Sequence, residues 1–127
     1  GPGIDPWFDK VLARAAANRD VARAVREDLE RAARRDVTES YTAHDVAIRT
    51  LAIATTAVDV AGEVLRVQQA RYQAGASTVL ELLDAQSQVV QAQADLVQAR
   101  YAARLARARL EAMLGQRLDS DSPVSAP

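Results

Sequence analysis

The hydrophobic positions in the second half of the chain recur at alternating steps of three and four residues. The series is Leu82, Ala85, Val89, Ala92, Leu96, Ala99, Ala103, Ala106, Leu110 and Met113. This spacing puts every member on one face of an α-helix, and it persists for more than four heptads, as in a coiled coil. Alternate positions are mostly alanine, which lets a neighbouring helix approach closely. A second stripe runs beside the first and comprises Val79, Leu83, Val90, Val97, Tyr101, Leu105 and Ala108.

The first half of the chain carries two apolar stripes at helical spacing. One stripe contains Ile48, Leu51, Val58 and Leu65, and the other contains Ile53, Ala57, Val60, Val64 and Val67. Because each apolar stripe must be buried, we expect such a helix to pack against neighbours on two sides. Asp5-Pro6 offers an N-cap followed by proline at the first helical position, so a helix is expected to begin near Asp5 or Asp9. No residue before Ala74 forces it to stop, so we predict a helix over about residues 8–74.

Turn chemistry separates the two halves. Gly75 suits the left-handed position just past a helix C-terminus, and Thr78 with Glu81 forms a capping-box pattern that opens the next helix. A tight turn at 75–77 joins antiparallel neighbours, so the expected fold is all-α, a long antiparallel coiled-coil hairpin. Leu114-Gly115 predicts the end of the second helix, which therefore covers 78–114.

The two predicted helices differ in length. At about 1.5 Å per residue, the first would span roughly 97 Å and the second roughly 55 Å, so the segment from Lys10 to Val37 has no partner in this chain. An alternative is a break near 35–37 that folds this segment back into a three-helix bundle, with Asp36 and Glu39 capping the restart. No glycine or proline marks such a break, which favours the continuous helix. Either arrangement buries little surface in one copy, so partner chains are expected.

Composition supports long helices and excludes several other classes. Between Pro6 and Pro123 there is no proline, and the only glycines are Gly62, Gly75 and Gly115. Without recurring turn clusters, a sandwich, a barrel or a βαβ repeat is not expected. Gly62 interrupts neither pattern, and we expect it to permit close packing in an alanine-rich interface.

Charge and residue chemistry point away from catalysis and nucleic acid. The net charge of −1 provides no clustered basic excess for nucleic acid. With no cysteine and only His44, neither a thiolate nor a histidine zinc site is expected. No nucleophile turn or phosphate-binding glycine loop is present, so we predict no enzyme activity, no metal and no cofactor. No apolar run reaches 18 residues, so no transmembrane helix is expected in this chain.

The two ends differ from the centre. Residues 1–3 (Gly-Pro-Gly) look like the scar of a cleaved expression tag, which would make the chain an excised piece. Residues 4–115 form the predicted hairpin domain. The Asp/Ser/Pro-rich stretch 116–127 is expected to be a disordered tail.

The sequence around the turn resembles the TolC-like outer-membrane efflux protein family. Family members show a Tyr-x-x-Gly turn, a Leu-Asp-Ala segment and an Ala/Leu-rich helix ending in Leu-Gly. These elements correspond to Tyr72 to Gly75, Leu83 to Ala85, and the helix that ends at Leu114-Gly115. Pro6-Trp-Phe-Asp9 is similar to the stretch that leads from a membrane strand into a long helix of the family. The resemblance covers roughly residues 6–115.

The resemblance implies the helical hairpin of the second repeat half of such a protein. The family forms homotrimeric tunnels for multidrug efflux or type I secretion, with a β-barrel in the outer membrane and an α-helical barrel across the periplasm. The hairpin turn lies at the periplasmic tip, where it meets a periplasmic adaptor protein that works with an inner-membrane pump. This chain would therefore be the periplasmic part of an outer-membrane protein, and it contains no span of its own.

Site roles follow from the same resemblance. The expected tip and adaptor-docking residues are Tyr72, Gly75, Ala76, Ser77 and Thr78. The expected acidic tunnel gate consists of Glu81 and Asp84. Some members carry an arginine of the closing network two positions after the turn glycine, whereas this chain has Ser77.

Each of these roles has a simpler alternative. Gly75 serves as a helix cap in either case, and Tyr72 extends the stripe of Leu51, Val58 and Leu65, so it could be a packing residue. Acids in the first turns of a helix are favoured by the helix dipole alone.

Two other functions stay open at this stage. One is the coiled-coil hairpin of a periplasmic adaptor protein, although the Arg/Leu/Ser docking pattern usual in adaptor turns is not evident here. The other is a cytoplasmic dimerising coiled coil with no transport role.

Overall fold

The computed structural model describes residues 5–121, and in that range the chain forms two helices and no strand. Helix α1 is Pro6–Gln73, 68 residues long, and helix α2 is Val79–Asp121, 43 residues long. The helices run antiparallel, since they meet at the tip through Gln68 and Ser77 and again along the groove that Leu51 and Ala103 line. The predicted all-α helical hairpin is thereby confirmed. The predicted tag scar at 1–3 and the last residues of the predicted tail, 122–127, lie outside the described residues.

The start of α1 follows the expected cap chemistry. The Asp5 carboxylate Oδ1 accepts a hydrogen bond from the Trp7 backbone N–H at 3.3 Å. The Asp5 carbonyl accepts from the N–H of Phe8 at 2.9 Å and of Asp9 at 3.3 Å. Pro6 takes the first helical position, where a backbone N–H would have no partner within the helix, so the lack of one in proline costs no hydrogen bond.

Helix α1 continues without interruption through residues 35–37, so the three-helix alternative is wrong. Arg34, Arg35 and Asp36 are acceptable in a helix interior, and Thr38 is accommodated because its hydroxyl donates to the Arg34 carbonyl at 2.9 Å. No glycine or proline interrupts the backbone there, which is the physical reason for continuity.

The chain divides into two compact units, one up to Thr38 and one from Glu39 onward. In the first unit almost every described residue is exposed, including large apolar side chains. Those more than 40 % exposed are Trp7, Phe8, Val11, Leu12, Val21, Val25 and Leu29. No second element of this unit covers them within the described residues.

The second unit holds the inner seam, which is the line of contact between α1 and α2. On α2 its members are the predicted ten positions from Leu82 to Met113, every one of them buried or half-buried. On α1 the buried and half-buried positions also alternate by three and four, from Ser40 through His44, Ala47, Leu51, Ala54, Val58, Ala61, Leu65 and Gln68. The most buried residues are Ala54, Ala85, Ala92, Ala99, Ala103 and Leu110, between 3 and 8 % exposed. Because alanine dominates, the backbones approach closely but little apolar area is covered.

The remaining apolar stripes are exposed. The α1 flank comprises Val46, Ile53, Val60, Val64 and Val67, which are 41–70 % exposed, and the α2 flank comprises Val79, Leu83, Val90 and Val97, which are 51–65 % exposed. Ile48, which we predicted in the first stripe of α1, is also 45 % exposed. The expected second neighbour of each helix is therefore not supplied by the described part of this chain.

Two of the predicted glycine roles are wrong. Helix α2 does not end at Gly115 but runs on to Asp121, so residues 116–121 of the predicted tail are helical. Gly115 keeps a right-handed backbone, since the only described glycine with positive φ is Gly75. Glycine inside a helix weakens it by about 1 kcal/mol without ending it, and Gln116 to Leu118 are good helix formers. Gly62 is exposed, and an added Cβ would meet no atom within 4 Å, so it takes no part in the packing of α1 on α2.

Candidate functional site: the hairpin tip and a groove between the helices

The end of α1 is closed by a Schellman motif centred on Gly75. The Gly75 N–H donates to the Tyr72 carbonyl at 3.0 Å, and the Ala76 N–H donates to the Arg71 carbonyl at 2.8 Å. Gly75 has φ +75°, a left-handed backbone that only glycine adopts without strain. The Arg71 guanidinium also donates to the Ala76 carbonyl at 3.3 Å, which adds a positive charge at the helix C-terminus. The backbone of the tip is thus fixed by its own hydrogen bonds.

The start of α2 is closed by the predicted capping box. The Glu81 N–H donates to Thr78 Oγ1 at 3.2 Å, and the Thr78 N–H donates to Glu81 Oε2 at 3.2 Å. The Ser77 hydroxyl donates to the same carboxylate at 2.6 Å. The hydrogen bonds from Ser77 and Thr78, together with the nearby charge of Arg71, hold the pKa of Glu81 below its ordinary value. Glu81 is therefore ionised and engaged in the cap at neutral pH.

Ser77 also joins the two helices across the turn. Its hydroxyl lies 2.9 Å from Gln68 Oε1 on α1 and 2.6 Å from Glu81 Oε2 on α2. A hydroxyl has one proton, so it donates to one oxygen at a time, and the shorter bond to the charged carboxylate is the stronger. If the Gln68 amide is turned so that its NH₂ group donates to Ser77, both bonds form together.

The other predicted site residues lie around this turn with fewer contacts. Tyr72 is 45 % exposed and contributes its carbonyl to the cap, and its side chain makes no hydrogen bond among the described residues. Ala76 is exposed beside it. Asp84 is exposed and forms no ion pair or hydrogen bond with any residue between 5 and 116. The structure therefore brings Tyr72, Gly75, Ala76, Ser77, Thr78 and Glu81 together at the tip, while Asp84 stands one turn further along α2.

The sequence reasoning missed two participants in the tip, Gln68 and Arg71. Gln68 continues the three-and-four spacing of the inner seam after Ala61 and Leu65, which could have identified it as a residue facing α2. Arg71 lies in the last turn of α1, where a basic side chain is favoured by the helix dipole.

A groove of about 530 Å³ opens between the helices away from the tip. Its floor is apolar, formed by Ile48 and Leu51 of α1 and by Ala103, Leu110 and Leu114 of α2. Its rim is polar, formed by His44, Arg100, Arg104, Arg107 and Glu111.

The rim of the groove is basic. Arg107 forms an ion pair with Glu111 at 3.0 Å, whereas Arg100 and Arg104 have no acidic partner within 4 Å among the described residues. The three arginines follow one another at steps of four and three, so they share one face of α2. That spacing was visible in the sequence, but the sequence alone did not show that an apolar floor lies beside it.

The described residues contain neither a metal-binding cluster nor a membrane-spanning stretch. No group of three or more His, Cys, Asp or Glu residues between 5 and 116 is arranged to hold a metal ion. Neither α1 nor α2, over the described residues, has a stretch apolar enough to cross a bilayer.

Comparison with known proteins places the chain in a family. The family model described as "Outer membrane efflux protein" matches residues 9–116, which covers most of both helices and the whole tip. Neither the comparison with curated proteins nor that with solved structures finds a match for this chain. The matched range contains most of the sequence, including the Schellman turn and the capping box. The chain belongs to the outer membrane efflux protein family and is, at the level of that family, a component of an efflux channel associated with the outer membrane.

Proposed function

We propose that this hairpin is a wall segment of the periplasmic α-helical tunnel of a trimeric efflux or secretion channel, and that its turn is the surface that docks on a periplasmic adaptor. The adaptor couples the tunnel to an inner-membrane pump, and the cargo is a drug or a secreted protein. The chain acts mechanically and catalyses no reaction. The observation that carries the proposal is the pair of exposed flanks on a hairpin from this family.

The two flanks are placed as expected for one segment of a tunnel wall, which contacts a neighbour on each side. Each α2 flank residue from Leu83 onward follows a seam residue by one position, whereas Ile53 and Val60 on α1 each precede a seam residue by one. One residue turns a helix by about 100°. Since the helices are antiparallel, the two flanks lie on opposite sides of the hairpin. A unit with two different apolar faces on opposite sides makes heterologous contacts with two neighbours, as the segments of a closed ring do.

The tip suits a docking surface for a different reason. Its backbone is held by the Schellman motif and the capping box, so its shape is set before any partner arrives. Preorganised surfaces bind with less loss of conformational entropy. Ala76 is exposed and small, which lets a partner approach the backbone of the turn. Tyr72 adds an exposed aromatic ring beside it, a residue type that is enriched in interfaces.

For the acidic gate we propose Asp84 as the principal residue. The carboxylate of Glu81 is already used by Ser77 and Thr78, whereas that of Asp84 has no partner among the described residues. In a ring of such hairpins, unpaired carboxylates at one height would attract cations. Glu81 then acts mainly by holding the turn from which Asp84 is positioned.

Site-directed cross-linking tests the docking proposal, because the chain has no cysteine of its own. Ala76→Cys in the complete channel should form a cross-link to the adaptor through a short thiol-reactive linker. Thr42→Cys, exposed on α1 far from the turn in sequence, provides the matched control and should not react with the adaptor. Equal cross-linking from both sites, or none from Ala76→Cys in an export-competent channel, would overturn the tip assignment.

A further inference from the structure

The groove between α1 and α2 has a positively charged end. Arg100 and Arg104 line it at the end nearer the tip, and neither has an acidic partner within 4 Å among residues 5–116. The one carboxylate that lines the groove, Glu111, lies towards the other end and is paired with Arg107 at 3.0 Å. Two uncompensated positive charges therefore stand together at the groove of a chain whose net charge is −1.

The interior of the groove is apolar and partly open to water. Ile48 is 45 % exposed, Leu51 and Leu114 are half-buried, and Leu110 is buried beneath them. Covering such surface with an apolar group releases free energy, because it removes the surface from water. The groove is thus complementary to a molecule that carries an apolar part next to a negative charge.

The dimensions of the groove fit a slender molecule. Helix α2 rises about 21 Å from Arg100 to Leu114. The volume of about 530 Å³ spread over that length gives a mean cross-section of roughly 25 Å², which is about the width of one extended alkyl chain. An α-helix with its side chains is about 10–12 Å wide, so it could lie over this groove but could not fill it.

We propose that the groove binds the free monomer of a fatty carboxylate, with the carboxylate at Arg100 and Arg104 and the alkyl chain laid along the apolar interior towards Leu114. Arginine suits the headgroup because its planar guanidinium pairs with a carboxylate through two parallel hydrogen bonds. About 15 Å of helix separates Arg104 from Leu114, and an extended chain of about twelve carbons spans this at roughly 1.3 Å per carbon. The site is separate from the tip and needs no adaptor.

Isothermal titration calorimetry of the 127-residue chain tests this inference. The probe is sodium dodecanoate, kept below the concentration at which it forms micelles, and we expect saturable binding. Dodecyltrimethylammonium has a similar alkyl chain with a cationic headgroup and should bind at least about tenfold more weakly at low salt, although the net charge of the protein is negative. Octanoate should also bind at least about tenfold more weakly, because it buries fewer CH₂ groups.

Variants of the two arginines separate this site from general charge attraction. Arg100→Gln with Arg104→Gln should weaken dodecanoate binding about tenfold and abolish the preference for the anionic headgroup. Arg109→Gln is the matched control, because Arg109 is also exposed and without an ion pair among residues 5–116. Arg109 precedes the seam residue Leu110 and so lies on the other side of the hairpin, where its loss should leave the affinity unchanged.

A second pair of variants tests the apolar interior. Ile48→Asn should weaken dodecanoate binding about fivefold, because it removes apolar surface from the groove. Ile53→Asn is its control, since Ile53 is 70 % exposed on the opposite side of α1 and should not affect binding. Both substitutions replace an exposed isoleucine inside the same helix, so their effects on helix propensity are matched.

Four results would contradict the inference. The first two are equal binding of dodecanoate and its cationic counterpart, and dodecanoate binding that the double arginine variant leaves unchanged. The third is binding of phosphatidylglycerol vesicles without binding of dodecanoate, which would identify a membrane surface as the occupant. The fourth is self-association of the wild-type chain that Ile48→Asn abolishes, which would identify a second copy.

The test is independent of the proposed docking function. Cross-linking at Ala76→Cys reports on the tip alone, whereas dodecanoate binding reports on the groove alone. Failure of either experiment leaves the other conclusion standing.

Discussion

Gly75→Ala is the sharpest test of the tip geometry. Gly75 has φ +75°, and an added Cβ would meet no atom within 4 Å, so any loss of stability is conformational rather than steric. A left-handed backbone costs a non-glycine residue about 1–2 kcal/mol. Alanine also restricts the unfolded chain, which returns about 0.4–1 kcal/mol. The expected net loss in the free energy of unfolding is about 1 kcal/mol.

Gly62→Ala is the matched control, and it should change the free energy of unfolding in the opposite direction. Gly62 lies inside α1 with helical backbone and open space around its Cβ position. Replacing glycine by alanine in a helix interior is favourable by about 1 kcal/mol. The same chemical change should therefore destabilise the chain at residue 75 and stabilise it at residue 62, a difference of about 2 kcal/mol. Gly75→Asn should recover part of the loss, since asparagine tolerates the left-handed region better than alanine.

Urea unfolding followed by far-ultraviolet circular dichroism measures all three variants. If each variant has the same m-value as the wild type (the slope of the free energy of unfolding against urea concentration), a shift of its unfolding midpoint reports a change in stability rather than in exposed surface. If Gly75→Ala is as stable as Gly62→Ala, the left-handed turn is not formed in solution and the Schellman motif at the tip is refuted.

Two further predictions concern the cap and the inner seam. The pKa of Glu81 is lower in the folded chain than in the unfolded chain, so its ionised carboxylate stabilises the fold fully above about pH 4.3. This stabilisation is lost as the pH falls through the folded pKa. The free energy of unfolding should therefore fall less steeply with acid in Glu81→Gln than in the wild type. Ala99→Leu should destabilise the hairpin by about 1–3 kcal/mol, because Ala99 is 5 % exposed and a larger side chain forces the helices apart. Ala94→Leu, on the exposed face of the same helix, should change the free energy of unfolding by less than about 0.5 kcal/mol, and equal effects in a thermal melt would contradict the assigned seam.

The candidate site was predictable where local chemistry decides it. Gly75, Thr78 and Glu81 were identified from turn and capping patterns, and the structure shows these bonds. The bridge from Ser77 to Gln68 was not predictable, because it joins residues nine positions apart whose proximity depends on how the helices meet. The gate and docking roles of Tyr72 and Asp84 stay predictions, since they depend on partners beyond this chain.

The predicted end of α2 at Gly115 was wrong for an instructive reason. A glycine ends a helix only when its backbone turns left-handed and the next N–H groups bond back to the last carbonyls. Gly75 meets that condition, since two such bonds form around it. Gly115 does not, since the residues after it continue in the helical conformation to Asp121. The residue type is the same at both positions, so the sequence signal was ambiguous.

The sequence by itself determined the presence of two long helices, the inner seam of α2 and the reversal at Gly75, because each depends on spacing and bonding within a few residues. Only the tertiary structure decided which stripe of α1 faces α2, since Leu51 and Ile53 both belong to plausible apolar faces. It also showed that a groove lies between the helices beside three arginines, which depends on the relative height of two antiparallel helices. Helical periodicity is a property of one helix, whereas the pairing of faces is a property of two.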